Sequence, residues 1–195
     1  TVSSQFTEGG TAITLPIPTR TGYGFDGWYE ASDFSGTKLS STYSPTQSRT
    51  IYAKWIGNTL TITYAAGTGG SGSAPTSPLT VLYGSTFPTP ASTYSRAGYS
   101  FAGWSDGTGT YAANATYPAS GTVSANVTLT ATWTANSNTV VVDTQGGSDI
   151  SSISWSTATS LTLPAAPTRT GYTFRGWYDA ATNGNQLIKL SLIHI

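Results

Sequence analysis

Three copies of one heptad constrain this chain more than any other feature: Gly22-Tyr23-Gly24-Phe25-Asp26-Gly27-Trp28, Gly98-Tyr99-Ser100-Phe101-Ala102-Gly103-Trp104 and Gly171-Tyr172-Thr173-Phe174-Arg175-Gly176-Trp177. The shared pattern is G-Y-x-F-x-G-W, and its first glycines stand 76 and 73 residues apart. Glycine averages roughly 7% of residues and aromatics are rarer, so five coincident positions in three windows are a true repeat. The flanks recur in phase. Arg20, Arg96 and Arg169 each lie two residues before the first Gly, and Pro16, Pro88 and Pro164 precede them. Downstream, Thr50-Ile51-Tyr52-Ala53-Lys54-Trp55 corresponds to Thr128-Leu129-Thr130-Ala131-Thr132-Trp133, with Trp55 and Trp133 lying 27 and 29 residues after the motif Trp. A third such strand is expected beyond residue 200.

A Thr- and Val-rich strand follows each of these, Thr59-Leu60-Thr61-Ile62-Thr63-Tyr64 and Thr139-Val140-Val141-Val142, and a glycine cluster closes each. If that strand opens the repeat, the chain divides into an N-terminally truncated repeat at 1–57, a complete repeat at 58–134 and a C-terminally truncated repeat at 135–186. Residues 187–195 break from the preceding composition and match neither other copy, so they are expected to be a non-native or divergent tail that carries no functional argument. The start at Thr1-Val2-Ser3-Ser4, in a chain with no Met, predicts a native N-terminus upstream.

Alternation in a strand places Tyr23, Phe25 and Gly27 on one face and Gly24, Asp26 and Trp28 on the other. The variable positions hold Gly, Asp, Ser, Ala, Thr and Arg, which marks that second face as wet, yet a strict period of two would also put every motif Trp there. Gly27, Gly103 and Gly176 resolve the conflict if each marks a β-bulge, since one extra residue rotates the Trp back onto the Tyr and Phe face. The closing strand reads as Ile51, Ala53 and Trp55 inward, matched by Leu129, Ala131 and Trp133. No segment keeps a helical period over a dozen residues. The expected fold is therefore mainly β, a series of small, largely antiparallel modules with little helix. The structural motif comprises Gly22, Tyr23, Phe25, Gly27, Trp28, Trp55, Gly98, Tyr99, Phe101, Gly103, Trp104, Trp133, Gly171, Tyr172, Phe174, Gly176 and Trp177.

Composition removes several function classes. Only 8% of residues are charged and the net charge is zero, so no field draws nucleic acid or anionic lipid. There is no Cys, and the single His is His194 in the divergent tail, so no triad needing either residue can form and no catalytic, cofactor or metal site is expected. Glu30 with Asp33 is the one close carboxylate pair outside a turn and reads as a solvated loop. Asp106-Gly107-Thr108-Gly109 lacks the spaced acids of a calcium loop and reads as a hairpin turn. Gly67-Thr68-Gly69-Gly70-Ser71-Gly72 lacks the Gly-Lys-Ser/Thr ending of a phosphate loop and reads as a flexible loop. No apolar run reaches the ~20 residues that span a bilayer, so no membrane insertion is expected of this stretch.

Pro18-Thr19-Arg20-Thr21-Gly22-Tyr23 through Trp28-Tyr29, with Tyr52-Ala53-Lys54-Trp55 and Pro167 through Tyr178, resembles the Listeria-Bacteroides repeat, also called the internalin B-repeat. Copy two is looser, with Ser105 after its Trp and Ala131-Thr132-Trp133 at its end. The resemblance implies tandem β-grasp-like modules, including a short helix best placed between Trp28 and Tyr43. It also implies a non-enzymatic region of a secreted or cell-wall bacterial surface protein, acting as spacer and adhesion module toward a host or cell-surface protein or glycan. The other reading is a carbohydrate-binding module using exposed Trp and Tyr, for which Trp155, outside the repeat pattern, is the first candidate ring.

Overall fold

The computed structural model describes residues 12–75 and 79–187. Copy one supplies β1 (Ile13–Thr14), β2 (Tyr23–Tyr29), β3 (Thr42–Tyr43) and β4 (Tyr52–Gly57). Copy two supplies β5 (Thr59–Ala65), β6 (Leu79–Leu82), β7 (Phe87–Pro88), β8 (Tyr99–Ser105), β9 (Thr110–Tyr111), β10 (Thr116–Tyr117) and β11 (Val127–Ala135). Copy three supplies β12 (Ser137–Val140), β13 (Ile153–Ser156), β14 (Trp177–Tyr178) and β15 (Gln186–Leu187). There is no helix among the described residues, as a chain rich in β-branched and aromatic residues and punctuated by Gly and Pro would have it. The connection after Trp28, where the resemblance implies a helix, is turn: Phe34 N–H donates to Ala31 O at 3.1 Å with Phe34 at φ 60, and Leu39 N–H returns to Trp28 O at 2.9 Å.

The middle copy holds the largest sheet, in the order β6-β5-β11-β8-β9, while the other strands form two-stranded pairs. β5 and β11 run parallel, with Leu129 opposite Tyr64, whereas β2 with β4, β5 with β6 and β8 with β9 run antiparallel. A parallel pair cannot be closed by a hairpin, so the intervening strands act as its crossover. Packing divides the chain into two compact units, one drawing on Thr1–Ala65, Ala74–Ala91 and Trp104–Thr130, the other on Ala66–Ser73, Ser92–Gly103 and Ala131–Ile195. In the first, Ile62, Tyr64 and Leu129 are buried with Phe87, Tyr117 and Val123, and Tyr64 meets Trp104 edge-on at 4.8 Å. In each copy an apolar residue near the proline step is buried: Leu15, Phe87 and Leu161.

The expected bulge is present in copy one. Phe25 pairs with Trp55 and Gly27 with Lys54, so Asp26 is the extra residue opposite no partner. The inserted residue turns Trp28 to the Phe25 side, where the two rings meet edge-on at 5.6 Å. Copy three shows the same pair, Phe174 with Trp177 at 5.1 Å. Gly103 and Gly176 take φ 148 and 140, where a side chain is strained, while a Cβ on Gly27 would displace only the flexible Lys38 side chain.

Leu129 has no exposed surface and sits in the parallel centre of the sheet, so Leu129→Ala is expected to cost about 2–5 kcal/mol in denaturant unfolding. Val141→Ser, on the wet side at 83% exposure, should leave the midpoint unchanged within about 0.5 kcal/mol.

Candidate functional site

The repeated motif begins with a turn. Tyr23, Tyr99 and Tyr172 donate their backbone N–H to the carbonyls of Arg20, Arg96 and Arg169 at 3.0, 3.1 and 3.1 Å. The third turn residue is Gly22, Gly98 or Gly171 at φ 78, 76 and 79, the value a type II turn demands at that place. Each turn brings its Arg over its Tyr ring, at 3.9, 3.6 and 4.0 Å from guanidinium carbon to ring centre. The recurrence of Arg two residues before the motif thus has a cation–π cause. The same Arg meets the glycine cluster that closes the opening strand. A Cβ on Gly69 would lie 3.2 Å from Arg96 Nε, and Arg169 donates to Gln145 O at 2.8 Å. The glycine segment from 67 to 72 is therefore a tied turn and not the flexible loop expected from its composition: Ser71 and Ser95 exchange two backbone hydrogen bonds at 2.9 Å.

Each motif Trp spends its one polar group in the same way. Trp28, Trp104 and Trp177 donate Nε1–H to the carbonyls of Pro16, Pro90 and Pro164 at 2.8, 2.7 and 3.2 Å. The partner in copy two is Pro90, two residues past the Pro88 that spacing alone aligns. Trp55 and Trp133 from the closing strands lie edge-on to Phe25 and Phe101 at 5.5 and 6.0 Å, and Trp133 donates to Ala66 O at 2.9 Å. Trp104 is fully buried and Trp28, Trp55, Trp133, Trp155 and Trp177 are half-buried, so no Trp presents an open ring. Trp155 lies on β13 opposite Asn138.

A further recurrence, not singled out from the sequence, is an acid two residues past each motif Trp: Glu30, Asp106 and Asp179. Glu30 accepts from Tyr43 Oη and pairs with Arg49, while Asp179 accepts from the backbone and side-chain nitrogens of Asn185. Asp106 accepts from Thr108 and Gly109 N–H at 2.8 and 2.9 Å, and from Tyr111 and Tyr117 Oη at 3.0 and 3.2 Å. Partial burial works to raise the Asp106 pKa, but the bonds from Gly109, Thr108 and Tyr111 outweigh it and hold the carboxyl far below its ordinary 3.8. Burial first, then the Asp106 charge and hydrogen bond, push Tyr117 up to about 12. This is the hairpin turn expected at 106–109, joining β8 to β9. Glu30 and Asp33 do not act together, since Asp33 instead accepts from Ser35 N–H at 2.9 Å. Among the described residues no three His, Cys, Asp or Glu side chains are grouped to hold a metal.

Two joints of like construction link consecutive copies. In the first, Asn58 N–H donates to Gly22 O and Tyr83 N–H to Asn58 O, at 2.9 and 2.8 Å. In the second, Asn136 N–H donates to Gly98 O and Thr157 N–H to Asn136 O, at 2.9 and 3.1 Å. The motif's first glycine is where the next copy's hairpin seats. A Cβ on Gly22 would lie 2.4 Å from the Tyr83 ring and one on Gly98 would lie 2.3 Å from Thr157 Cγ2, whereas one on Gly171 would meet nothing within 4 Å. Tyr23 and Tyr83 also pack edge-on at 5.3 Å.

A family model described as the Listeria-Bacteroides repeat domain matches residues 1–54, 61–132 and 139–190. Two curated proteins of Evansella cellulosilytica are similar. One, named "Putative Gly-rich membrane protein", is 33% identical over 185 residues, which is 91% of this chain and 20% of that protein. The other, named "Putative membrane protein", is 31% identical over 179 residues, 91% of this chain and 26% of its own length. The chain thus spans about a quarter or less of the relatives it matches. No solved structure matches it.

Because Asp106 is more acidic folded than unfolded, its stabilisation is complete above pH 3.8 and is lost as pH falls below that. Tyr117 has the opposite sign: its stabilisation is complete below pH 10 and is lost as pH rises toward about 12. Unfolding midpoints across pH should fall at both ends, and Asp106→Asn should flatten the acid side. At the joints, Gly171→Ala is expected to cost only the left-handed backbone penalty of about 1–2 kcal/mol, and Gly98→Ala measurably more because Thr157 must move.

Proposed function

The chain belongs to the Listeria-Bacteroides repeat family, and on that premise we propose that it is a non-catalytic repeat region of a secreted or cell-surface bacterial protein, serving as spacer and protein-interaction module. Repeats of this family are generally non-catalytic. The names of the two similar proteins place them in a membrane, which favours the cell envelope as the site of action. Among the described residues no helix is long and apolar enough to cross a bilayer.

The observation that carries the spacer reading is the joint. A flexible linker between modules would leave each free to reorient, but here one residue between copies, Asn58 or Asn136, is hydrogen-bonded on both sides. The motif glycine then admits the next copy's side chain against the turn. Such a contact transmits orientation from copy to copy, which a projecting spacer requires and an independent binding module does not.

Adhesion to a host or cell-surface protein fits exposed apolar residues such as Ile17, Tyr52 and Ile56, which lie within copy one. The carbohydrate-binding alternative asks for open Trp faces, and these rings are committed to proline carbonyls and neighbouring Phe. Small-angle scattering of the intact chain tests the spacer: Gly22→Val with Gly98→Val should broaden the distribution of interatomic distances while the circular dichroism spectrum is kept. An unchanged distribution would reject the joint as the stiffening element. On a glycan array the intact chain should retain no sugar, and retention lost in Trp155→Ala would favour the alternative.

A further inference from the structure

The five-stranded sheet of the middle copy ends on β6, which lies between β5 and β7 in chain order. β6 pairs antiparallel with β5, with Thr59 opposite Leu82 and Thr61 opposite Thr80. Tyr83 N–H donates to Asn58 O at 2.8 Å, so alternation turns the backbone groups of Leu79 and Val81 toward β5 and those of Thr80 and Leu82 away from it. Thr61 gives the same parity from the other side, since its N–H turns away from β6 and donates to Asn126 Oδ1 at 2.8 Å. Among the described residues no strand pairs with the outer side of β6.

Sheet edges are ordinarily guarded by charge, by proline or by a bulge. β6 has none of these: it reads Leu79-Thr80-Val81-Leu82, its register against β5 is unbroken, and no charged residue stands anywhere between Lys54 and Arg96. Its wet face carries Thr80 and Leu82, the latter 49% exposed, while Leu79 and Val81 are half-buried on the inner side. The end of the edge is already occupied on one atom, because Leu82 O accepts from Ser85 N–H at 3.1 Å and from Ser85 Oγ at 2.6 Å. Thr80 is therefore the residue with both backbone groups open to the outside.

We propose that β6 is a self-association edge, at which two copies of this chain pair antiparallel through Leu79–Leu82 about a two-fold axis at Thr80. The two Thr80 residues then exchange both backbone hydrogen bonds, and Val81 of each chain stands opposite Leu79 of the other on the inner face. A register centred on Val81 is disfavoured, since it would call on Leu82 O, which Ser85 holds. A second copy is the occupant that an uncharged edge admits. A two-fold contact sets every charge near its axis against its own like; here the strand brings none, and the chain has no net charge to hold copies apart. The ladder is only four residues long, so the dimer is weak and reversible. The inference rests on the β5–β6 pairing and not on the spacer reading, so either can fail alone.

The test uses the intact chain, isotopically labelled, from tens of micromolar to about 1 mM, where a short interface populates. Sedimentation equilibrium should show a reversible monomer–dimer equilibrium, and amide shifts that grow with concentration should map to Leu79–Leu82. Thr80→Lys sets two ammonium groups opposite each other and should weaken association at least about tenfold, as should Thr80→Glu, while an equimolar mixture of the two variants restores it. Thr63→Lys adds the same charge on the exposed side of β5 and should associate as the unaltered chain does. A chain that stays monomeric at the highest concentration, shifts that map elsewhere, equal weakening by Thr63→Lys, or a mixture no tighter than either variant alone would each overturn the edge. The shifts of the unaltered chain decide the matter even if Thr80→Lys unfolds copy two.

Discussion

The hydrogen bond from each motif indole to a proline carbonyl is the interaction on which the rest of a repeat depends. Trp28, Trp104 and Trp177 reach back 12 to 14 residues to Pro16, Pro90 and Pro164, and so pin the extended proline step over the start of the motif strand. A Trp N–H buried without a partner would cost about 1–3 kcal/mol and offset a good part of what burying the ring contributes, and the proline carbonyl supplies that partner. Leu15, Phe87 and Leu161, one to three residues before the accepting prolines, are buried. In copy one the bulge at Asp26 turns Trp28 onto the inner face, from which its indole N–H reaches the Pro16 carbonyl.

A second device opens the motif and does two tasks with one residue. A left-handed glycine closes the turn that stacks Arg on Tyr, and its missing side chain leaves the space into which the following copy seats Tyr83 or Thr157. The same atoms that stabilise a repeat internally thus prepare its contact with the next. In the third copy the turn and the cation–π stack are both present, and a Cβ on Gly171 would meet nothing within 4 Å among the described residues.

Much of this was legible in the residues. The repeat, its phase, the all-β character, the bulge at Gly27 and the inward turn of the Trp follow from periodicity and from what glycine does inside a strand. Other features were visible only as unexplained recurrences. Arg20, Arg96 and Arg169 stood in phase without a stated partner until the turn placed each on its Tyr. The acid after each Trp was in plain sight, yet its partners Tyr43 and Tyr117 come from 13 and 11 residues away and no local rule joins them. The glycine-rich segment at 67–72 looked mobile because composition does not show that Ser95 and Arg96 tie it down.

By itself the sequence determined the repeat and its all-β character, because a side-chain period and a residue inventory are local properties. It could not determine that β5 and β11 pair in parallel, that Pro90 and not Pro88 receives the Trp104 proton, or that a helix implied by resemblance would be a turn around Phe34. Those were decided by tertiary structure, where carbonyls, rings and strands far apart in the chain compete for the same partner and the best geometry wins. The motif forms strands at 23–29 and 99–105, where β4 and β11 lie beside it, and no strand among the described residues pairs with 172–176.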